Sequence, residues 1–299
     1  MKIYFLFIGL LINNFLYAQS EEKLLENLLF NLPDVSFTKI SKCGDPFLKY
    51  SLYIKQPLDH WDLSKGYFKQ KVILTHHGFN NPTVMNIQGY EIHLGKNELE
   101  IILNANHINI EHRFFGESVP DSMQWKYLTL EQVTADLHYI NSLFRKIYSG
   151  KWISTGISKG GQTTVFYKYF YPEDVDVSVP YVAPLNTGIE DKRIYNFFDT
   201  IGSAECRQKI KDIQIFLLKN EDAALEKLKW YAKGAGHTFT YLDNSLGKAF
   251  ELAVLEYSFS FWQWGSKCED IPPSQSLDSC LSHLLFRFQA LAPEARPLL

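Results

Sequence analysis

A serine between glycines is the feature of this sequence that most directly suggests chemistry, in the segment Gly156-Ile157-Ser158-Lys159-Gly160-Gly161. A serine at the tip of a sharp strand-to-helix turn has a strained backbone, and its neighbours two positions away must be small. Gly156 and Gly160 meet that requirement. The pattern predicts a nucleophile elbow, in which the hydroxyl of Ser158 attacks a carbonyl carbon. The alternative is a glycine-rich turn with a structural role only.

The residues on either side of the segment predict the strand and the helix that an elbow joins. Residues 151–155 are β-branched and aromatic, as in a strand, and residues 160–170 predict a helix that ends at Tyr171-Pro172. A helix start presents free backbone N–H groups, so the N–H of Lys159 is a candidate donor to the oxyanion of a tetrahedral intermediate. The expected apolar face of this helix comprises Val165, Phe166 and Tyr169.

Strand and helix patterns alternate up to residue 182. Residues 66–77 read as the arm of an edge hairpin, and residues 82–87, 108–110 and 175–182 as further strands. Residues 128–148 have helical periodicity, with Thr129 before them and Gly150 after them as start and stop signals. This order predicts the α/β class, with a mostly parallel sheet and helices on both faces.

The pattern changes after Asn186, where residues 194–198, 206–219 and 223–232 are all helix-like. We expect a core domain over residues 19–187 and a helical cap over residues 188–299, laid over the catalytic edge of the sheet. The chain is expected to end within that cap, so that the C-terminal part of the core is missing.

The first residues have the charge, apolar core and small-residue end of a secretory signal, and cleavage is expected after Ala18. No later stretch is long enough to span a membrane, so we expect a secreted or periplasmic protein without an integral anchor. A net charge of −3 and a pI near 6.3 argue against a nucleic-acid partner.

The four cysteines, Cys43, Cys206, Cys268 and Cys280, are far apart and suit an exported protein with one or two disulfides. Three full pairings exist and the sequence does not choose among them. A zinc site is the alternative, but the chain has no C-x-x-C pair and its nine histidines are scattered. We expect neither a metal nor another cofactor.

Several further motifs accompany the elbow: Gln56-Pro57-Leu58-Asp59-His60, the EHRFFGES stretch at residues 111–118, Tyr127-Leu128-Thr129, and Gln132 with Asp136. Together they resemble the bacterial secreted tripeptidyl aminopeptidases, which are serine peptidases of the α/β-hydrolase fold. The chain is more distantly similar to lysosomal prolyl carboxypeptidase and its dipeptidyl-peptidase relatives, which share the EHR-aromatic-aromatic-G-x-S pattern. The resemblance covers residues 56–265.

The resemblance implies that Ser158 is the acylating nucleophile. The backbone N–H of Lys159 and a second donor from Gly89 or Tyr90 would form the oxyanion hole. Glu111 and Arg113 would support the site from behind or contact substrate, and Glu111 is a candidate to bind a peptide's free amine. The alternative for both is an ion-paired network that orders the end of a strand.

In this fold the triad aspartate and histidine follow the serine, on loops after the cap and the final strands. Only His237 and His283 follow Ser158, and neither comes after a predicted strand. We therefore expect both triad partners to be absent from this chain, with His283 or His237 and Asp270 or Asp278 as the alternative. Residues 284–299 also change composition, and a truncated or frame-shifted C-terminus is our hypothesis.

The sequence thus predicts an exported serine peptidase that removes dipeptides or tripeptides from the free N-terminus of peptide or protein substrates. Ser158 would form an acyl-enzyme, as in other hydroxyl nucleophile enzymes. Two alternatives stay open: an esterase or lipase of the same fold, and a catalytically silent homologue that only binds.

Overall fold

The computed structural model describes residues 21–42, 44–236, 243 and 245–288. The signal segment, Cys43, His237 and residues 289–299 lie outside the described residues. The chain divides into two compact units, Met1–Leu185 and Asn186–Leu299.

The first unit is built on a seven-stranded sheet with the order β1-β2-β3-β5-β4-β6-β7. The pairings β1–β2, β2–β3 and β3–β5 are antiparallel, and β5–β4, β4–β6 and β6–β7 are parallel. The sheet is therefore mixed, not mostly parallel as predicted, and its parallel part lies at the end that carries the elbow. The strands are β1 (Val35–Lys39), β2 (Leu48–Pro57), β3 (Tyr67–His76), β4 (Thr83–Ile87), β5 (Asn106–Ile110), β6 (Trp152–Ile157) and β7 (Val177–Tyr181).

The antiparallel strands β1 and β2 precede every strand that the sequence predicted. Strand β2 alternates buried and more exposed positions, with Tyr50, Leu52 and Ile54 buried, which is the period of a strand that covers a core on one face. Because β3 pairs with β2 on one side and with β5 on the other, β3 lies inside the sheet. The prediction of an edge hairpin arm at residues 66–77 is wrong in that respect.

Helices cover both faces of the sheet. Met85 packs in the main core, whereas its neighbour Val84 packs on the opposite face against Leu99, since successive strand residues point to opposite faces. The helices of this unit are α1 (residues 21–30), α2 (Glu98–Leu103), α3 (Leu130–Phe144) and α4 (Lys159–Phe170). The predicted α/β class is confirmed.

Helix α3 begins where the sequence places it, because the side chain of Thr129 accepts a hydrogen bond from the N–H of Gln132. The buried face of helix α4 differs from the predicted one. Tyr169 is 76% exposed, and the buried positions of α4 are Gly160, Gly161, Thr163, Thr164 and Tyr167. Small residues lie inward because this helix packs closely against the strand that precedes it.

The second unit is helical throughout its described residues. Its helices are α5 (Lys192–Thr200), α6 (Ala204–Lys219), α7 (Glu221–Ala235), α8 (Leu246–Gln263) and α9 (Leu277–Phe288). A disulfide joins Cys206 to Cys268, and Cys280 is buried and forms no disulfide with another described residue. Of the one or two disulfides that the sequence predicted, the structure thus shows one. The described helices include none with the length and apolar character needed to cross a membrane.

Candidate active site

Ser158 lies between β6 and α4 in a conformation that L-residues seldom adopt, with φ of 56° and ψ of −120°. Its N–H donates to the carbonyl oxygen of Tyr181 on the neighbouring strand, over 3.0 Å, and its side chain is exposed. A strained backbone that presents a hydroxyl in this manner is the geometry of a nucleophile elbow. The predicted strand, turn and helix are therefore present around Ser158.

The glycines of the motif are required by close backbone contacts. A Cβ on Gly156 would lie 2.5 Å from the carbonyl oxygen of Gly160, and a Cβ on Gly160 would lie 2.2 Å from that of Ile87. Real Cβ atoms do not approach so closely, so α4 can start directly against the ends of β4 and β6 only with glycine at both positions.

A pocket of about 490 Å³ opens at the carboxyl ends of β4, β6 and β7, which meet at one edge of the sheet. It brings together three residues predicted for the site: Ser158, Gly89 and Tyr90. Pockets at the carboxyl edge of a parallel sheet are the usual ligand sites of α/β proteins. Its other lining residues are Asn86, Gln88, His93, Gly95, Lys96, Asn97, Glu98, Thr155, Ile157 and Tyr181.

The backbone N–H groups of Lys159, Gly89 and Tyr90 make no hydrogen bond within the part of the chain that the structure describes. Lys159 begins α4, so its N–H is one of the free donors of a helix start. Gly89 and Tyr90 follow β4 at the same edge. The arrangement can therefore offer N–H donors to a negatively charged oxygen on a carbon attached to Ser158.

Glu111 is 2% exposed, and backbone groups occupy its carboxylate. One oxygen accepts from the N–H groups of Glu117 and Ser118 and from the Ser118 hydroxyl, over 2.8 to 2.9 Å, and the other accepts from the N–H of Ile92 over 3.0 Å. A side chain at Gly116 would meet this carboxylate at 2.4 Å. Glu111 thus fixes the loops beside the pocket, and the structure favours support over contact with a substrate amine.

Arg113 is fully buried and forms an ion pair with Asp136. Its other N–H groups donate to the carbonyl oxygens of Pro57, Leu58 and Tyr127. Neither Arg113 nor Glu111 lines the pocket. The motifs at residues 56–60, 111–118 and 127–136 are therefore parts of one network that holds loops in place.

The lining residues that were not predicted for the site include Glu98, Tyr181 and His93. Glu98 begins α2 and accepts a hydrogen bond from the hydroxyl of Tyr181 over 2.8 Å, and the side chain of His93 is exposed. The spacing of residues in the sequence does not show that α2 lies near the elbow, because the two come together only through the parallel pairing of β4 and β6.

The predicted alternatives for the triad partners lie in the second unit. Nε2 of His283 lies 2.9 Å from the hydroxyl of Tyr257, and Asp278 forms an ion pair with Lys227 over 2.7 Å. Asp270 ends a single 3₁₀ turn. The expected absence of the triad partners, and the alternative that His283 or His237 pairs with Asp270 or Asp278, both stay predictions.

Comparison with known proteins identifies relatives of this chain. The family model of the PS-10 peptidase S37 matches residues 22–280. A prolyl tri/tetrapeptidyl aminopeptidase of Streptomyces mobaraensis is 30% identical over 260 residues, which are 84% of this chain and 54% of the relative. The chain therefore spans about half the length of that relative.

Among solved structures, an acetyl xylan esterase from Paenibacillus sp. R4 has a TM-score of 0.41 at 15% identity, over 58% of this chain and 64% of its own. An esterase of Pyrococcus furiosus has a TM-score of 0.36 at 13% identity, over 50% of this chain and 59% of its own. The family match spans most of the chain. The chain belongs to the PS-10 peptidase S37 family, and it has the α/β-hydrolase fold that its motifs predicted.

Proposed function

We propose that this protein is an exported serine peptidase that releases short peptides from the free N-terminus of polypeptides, with Ser158 as the nucleophile. The observation that carries the proposal is the elbow conformation of Ser158 at a pocket that Gly89 and Tyr90 also line. Membership of a peptidase family and the named aminopeptidase relative support this reaction class.

In the proposed reaction, one of the histidines tested below takes the place of the triad histidine that was expected to be absent, and it accepts the proton of the Ser158 hydroxyl as the oxygen attacks the scissile carbonyl carbon. The negative charge that develops on the carbonyl oxygen is stabilised by the N–H of Lys159 and by a donor from Gly89 or Tyr90. Collapse of the intermediate breaks the C–N bond, and the histidine returns its proton to the leaving amine. Water then hydrolyses the acyl-enzyme by the same steps.

For the free amine of the substrate, we propose Glu98 as the partner in place of Glu111. Glu98 lines the pocket of Ser158, whereas the oxygens of Glu111 are occupied by backbone donors. The hydroxyl of Tyr181 contacts one carboxylate oxygen of Glu98, which leaves the other for an ammonium group. A charge-assisted bond of this kind contributes about 1.5 to 3 kcal/mol.

Labelling with a fluorophosphonate probe tests the nucleophile. We expect one adduct, located on Ser158 by peptide mass, and none in Ser158→Ala. Substituting each candidate base in turn, His93→Asn, His237→Asn and His283→Asn, identifies the histidine as the one whose loss abolishes labelling. A folded chain that is not labelled contradicts the proposal and favours a protein that only binds.

Peptides with free and acetylated N-termini test the substrate class. We expect cleavage of the free peptides only, and a rise in KM of about 10- to 100-fold in Glu98→Gln for these substrates. Glu173→Gln is the matched control, because Glu173 is exposed and follows the C-terminal end of α4, whereas Ser158 precedes its N-terminal end. Faster turnover of short acyl esters than of peptides identifies an esterase instead.

Export is also part of the proposal. The disulfide between Cys206 and Cys268 supports it, because such bonds persist in oxidising compartments. Expression with the complete N-terminus should yield a protein outside the cytoplasm that begins at Gln19. A product that keeps Met1 and stays in the cytoplasm contradicts this part.

A further inference from the structure

The ammonium group of Lys159 is held beside the pocket without a carboxylate partner among the described residues. Its Nζ donates to the carbonyl oxygen of Gly89 over 2.8 Å. The same atom lies 4.7 Å from the centre of the Tyr90 ring and 4.2 Å from that of Phe115. Lys159 is thus held by one carbonyl group and by the faces of two aromatic rings, which attract a cation.

The backbone at Gly89 is fitted closely to Lys159. A Cβ at position 89 would lie 2.9 Å from the Cβ of Lys159 and 3.0 Å from the backbone nitrogen of Gly160. Only glycine therefore allows the loop after β4 to approach the start of α4 as it does here. This contact places the carbonyl oxygen of Gly89 within reach of the lysine that follows the nucleophile.

The orientation of one peptide group follows from this bond. The Gly89–Tyr90 peptide bond is trans, so its C=O and N–H groups point in opposite directions. With the oxygen of Gly89 directed at Lys159, the N–H of Tyr90 is directed away from the ammonium group. That N–H makes no bond within the described residues, and Tyr90 lines the same pocket as Ser158.

We infer that Lys159 is a positioning residue whose ammonium group holds the Gly89–Tyr90 peptide, so that the N–H of Tyr90 faces the oxyanion formed at Ser158. This inference rests on the proposed function and deepens it, because it chooses Tyr90 over Gly89 as the second donor. A hydrogen bond to the oxygen of a peptide also polarises its N–H, which strengthens the donor.

The role depends on the charge of Lys159. Burial lowers the pKa of Lys159 to about 8, so the ammonium group loses its proton in mildly alkaline solution. Its titratable neighbours are the Tyr90 phenol and His112, and burial and the charge of Lys159 lower the pKa of His112 to about 4. Deprotonation of Lys159 weakens the bond to Gly89 and removes the attraction to the two rings.

Amide NMR tests the bond without any need for activity. In the wild-type protein the Tyr90 amide signal should shift with a midpoint near pH 8, as Lys159 titrates. Lys159→Gln keeps a donor for the Gly89 carbonyl but does not titrate, so the shift should vanish. A wild-type Tyr90 signal that is unchanged between pH 6 and pH 9 overturns the inference.

The rate of phosphonylation of Ser158 tests the positioning role. We expect Lys159→Met to react about 10- to 100-fold more slowly than wild type, somewhat less than the loss of a whole oxyanion donor, and Lys159→Gln to fall between them. The KM of Lys159→Met for peptides should stay within about twofold of the wild-type value. Binding that is equally strong in the ground state and in the transition state is not affected. A rate of phosphonylation in Lys159→Met equal to that of wild type overturns the positioning role. If Lys159→Met does not fold, the rate is measured in Lys159→Arg, which keeps the charge.

The NMR and phosphonylation experiments together distinguish failure of the inference from failure of the proposed function. A titrating Tyr90 amide in a protein that is never phosphonylated refutes the proposed function, and the positioning role with it, while it confirms the bond. A phosphonylated protein whose Tyr90 amide does not titrate refutes the inference alone.

Discussion

Arg113 and Asp136 form a bidentate ion pair in which both side chains are fully buried. Nε and Nη2 of Arg113 each lie 2.7 Å from a different carboxylate oxygen of Asp136. Nε2 of His60 also lies 2.7 Å from that carboxylate. The pair therefore connects α3 to the segment that follows β5, and through it to the loops beside the pocket.

Arg113→Lys should lower the free energy of unfolding by about 3 to 5 kcal/mol, the usual cost of breaking a buried pair. Lysine cannot make two parallel bonds to Asp136, and it leaves the carbonyl oxygens that Arg113 reaches without donors. Urea denaturation measures the loss. Lys151→Gln is the control, because its pair with Asp176 is on the surface and contributes at most about 1 kcal/mol. Equal losses in the two variants would contradict the prediction.

His112 should make the protein sensitive to acid. Burial and the charge of Lys159 lower its pKa to about 4, compared with about 6.5 in an unfolded chain. Between these values the unfolded state binds the extra proton, so stability falls as the pH falls from about 6.5 to 4. The full contribution is about 3 kcal/mol.

The measurement compares urea unfolding of wild type and His112→Asn at several pH values. The stability of wild type relative to the variant should decline by about 3 kcal/mol between pH 7 and pH 4. His93→Asn, which replaces an exposed side chain, should track wild type throughout. A constant difference between wild type and His112→Asn would show that His112 does not titrate in this range.

Gly156→Ala and Gly160→Ala should each destabilise the protein by about 1 to 3 kcal/mol or more, as overpacking does, because the added Cβ atoms would lie 2.5 Å or less from backbone atoms. Both variants should also lose labelling of Ser158. Gly234→Ala is the contrasting case, since nothing lies within 4 Å of its Cβ position in α7. That substitution should raise stability by up to about 1 kcal/mol. Thermal denaturation would show whether stability falls in Gly156→Ala and Gly160→Ala and rises in Gly234→Ala.

Loss of the Cys206–Cys268 bond should destabilise the helical unit. The bond joins residues 62 positions apart, and the chain-entropy model gives about 4 kcal/mol for a loop of that length. Denaturation of Cys206→Ser/Cys268→Ser measures this loss. Reducing agent should lower the stability of wild type and leave the double variant unchanged; a fall in both would point to another cause.

The local elements of the site could be predicted from the sequence because their signals are local. Gly156 and Gly160 mark the elbow, and Thr129 marks the start of α3. The expected face of α4 was wrong because periodicity favours Val165 and Tyr169, whereas close packing at the elbow selects small residues.

The contents of the pocket could not be predicted, because they depend on contacts between distant segments. Glu98 and Tyr181 are 83 residues apart and meet only because their elements flank the same edge of the sheet. Glu111 shows the converse: its motif was recognised from sequence, but whether a carboxylate faces substrate or backbone is decided by loop geometry. Strand β1 pairs with β2, and β2 pairs with β3, so the places of both strands in the sheet depend on contacts between separate segments.

Glu111 joins two stretches of chain by a single side chain, since its oxygens accept from Ile92 and from the neighbouring residues Glu117 and Ser118. Segments tied to one buried group cannot open independently without leaving a charge unpaired in the interior. The loop that follows Tyr90 and the turn at Gly116 should therefore exchange their amide protons as one cooperative unit. Mobility beside Ser158 should thus be set by Glu111, a residue that does not line the pocket.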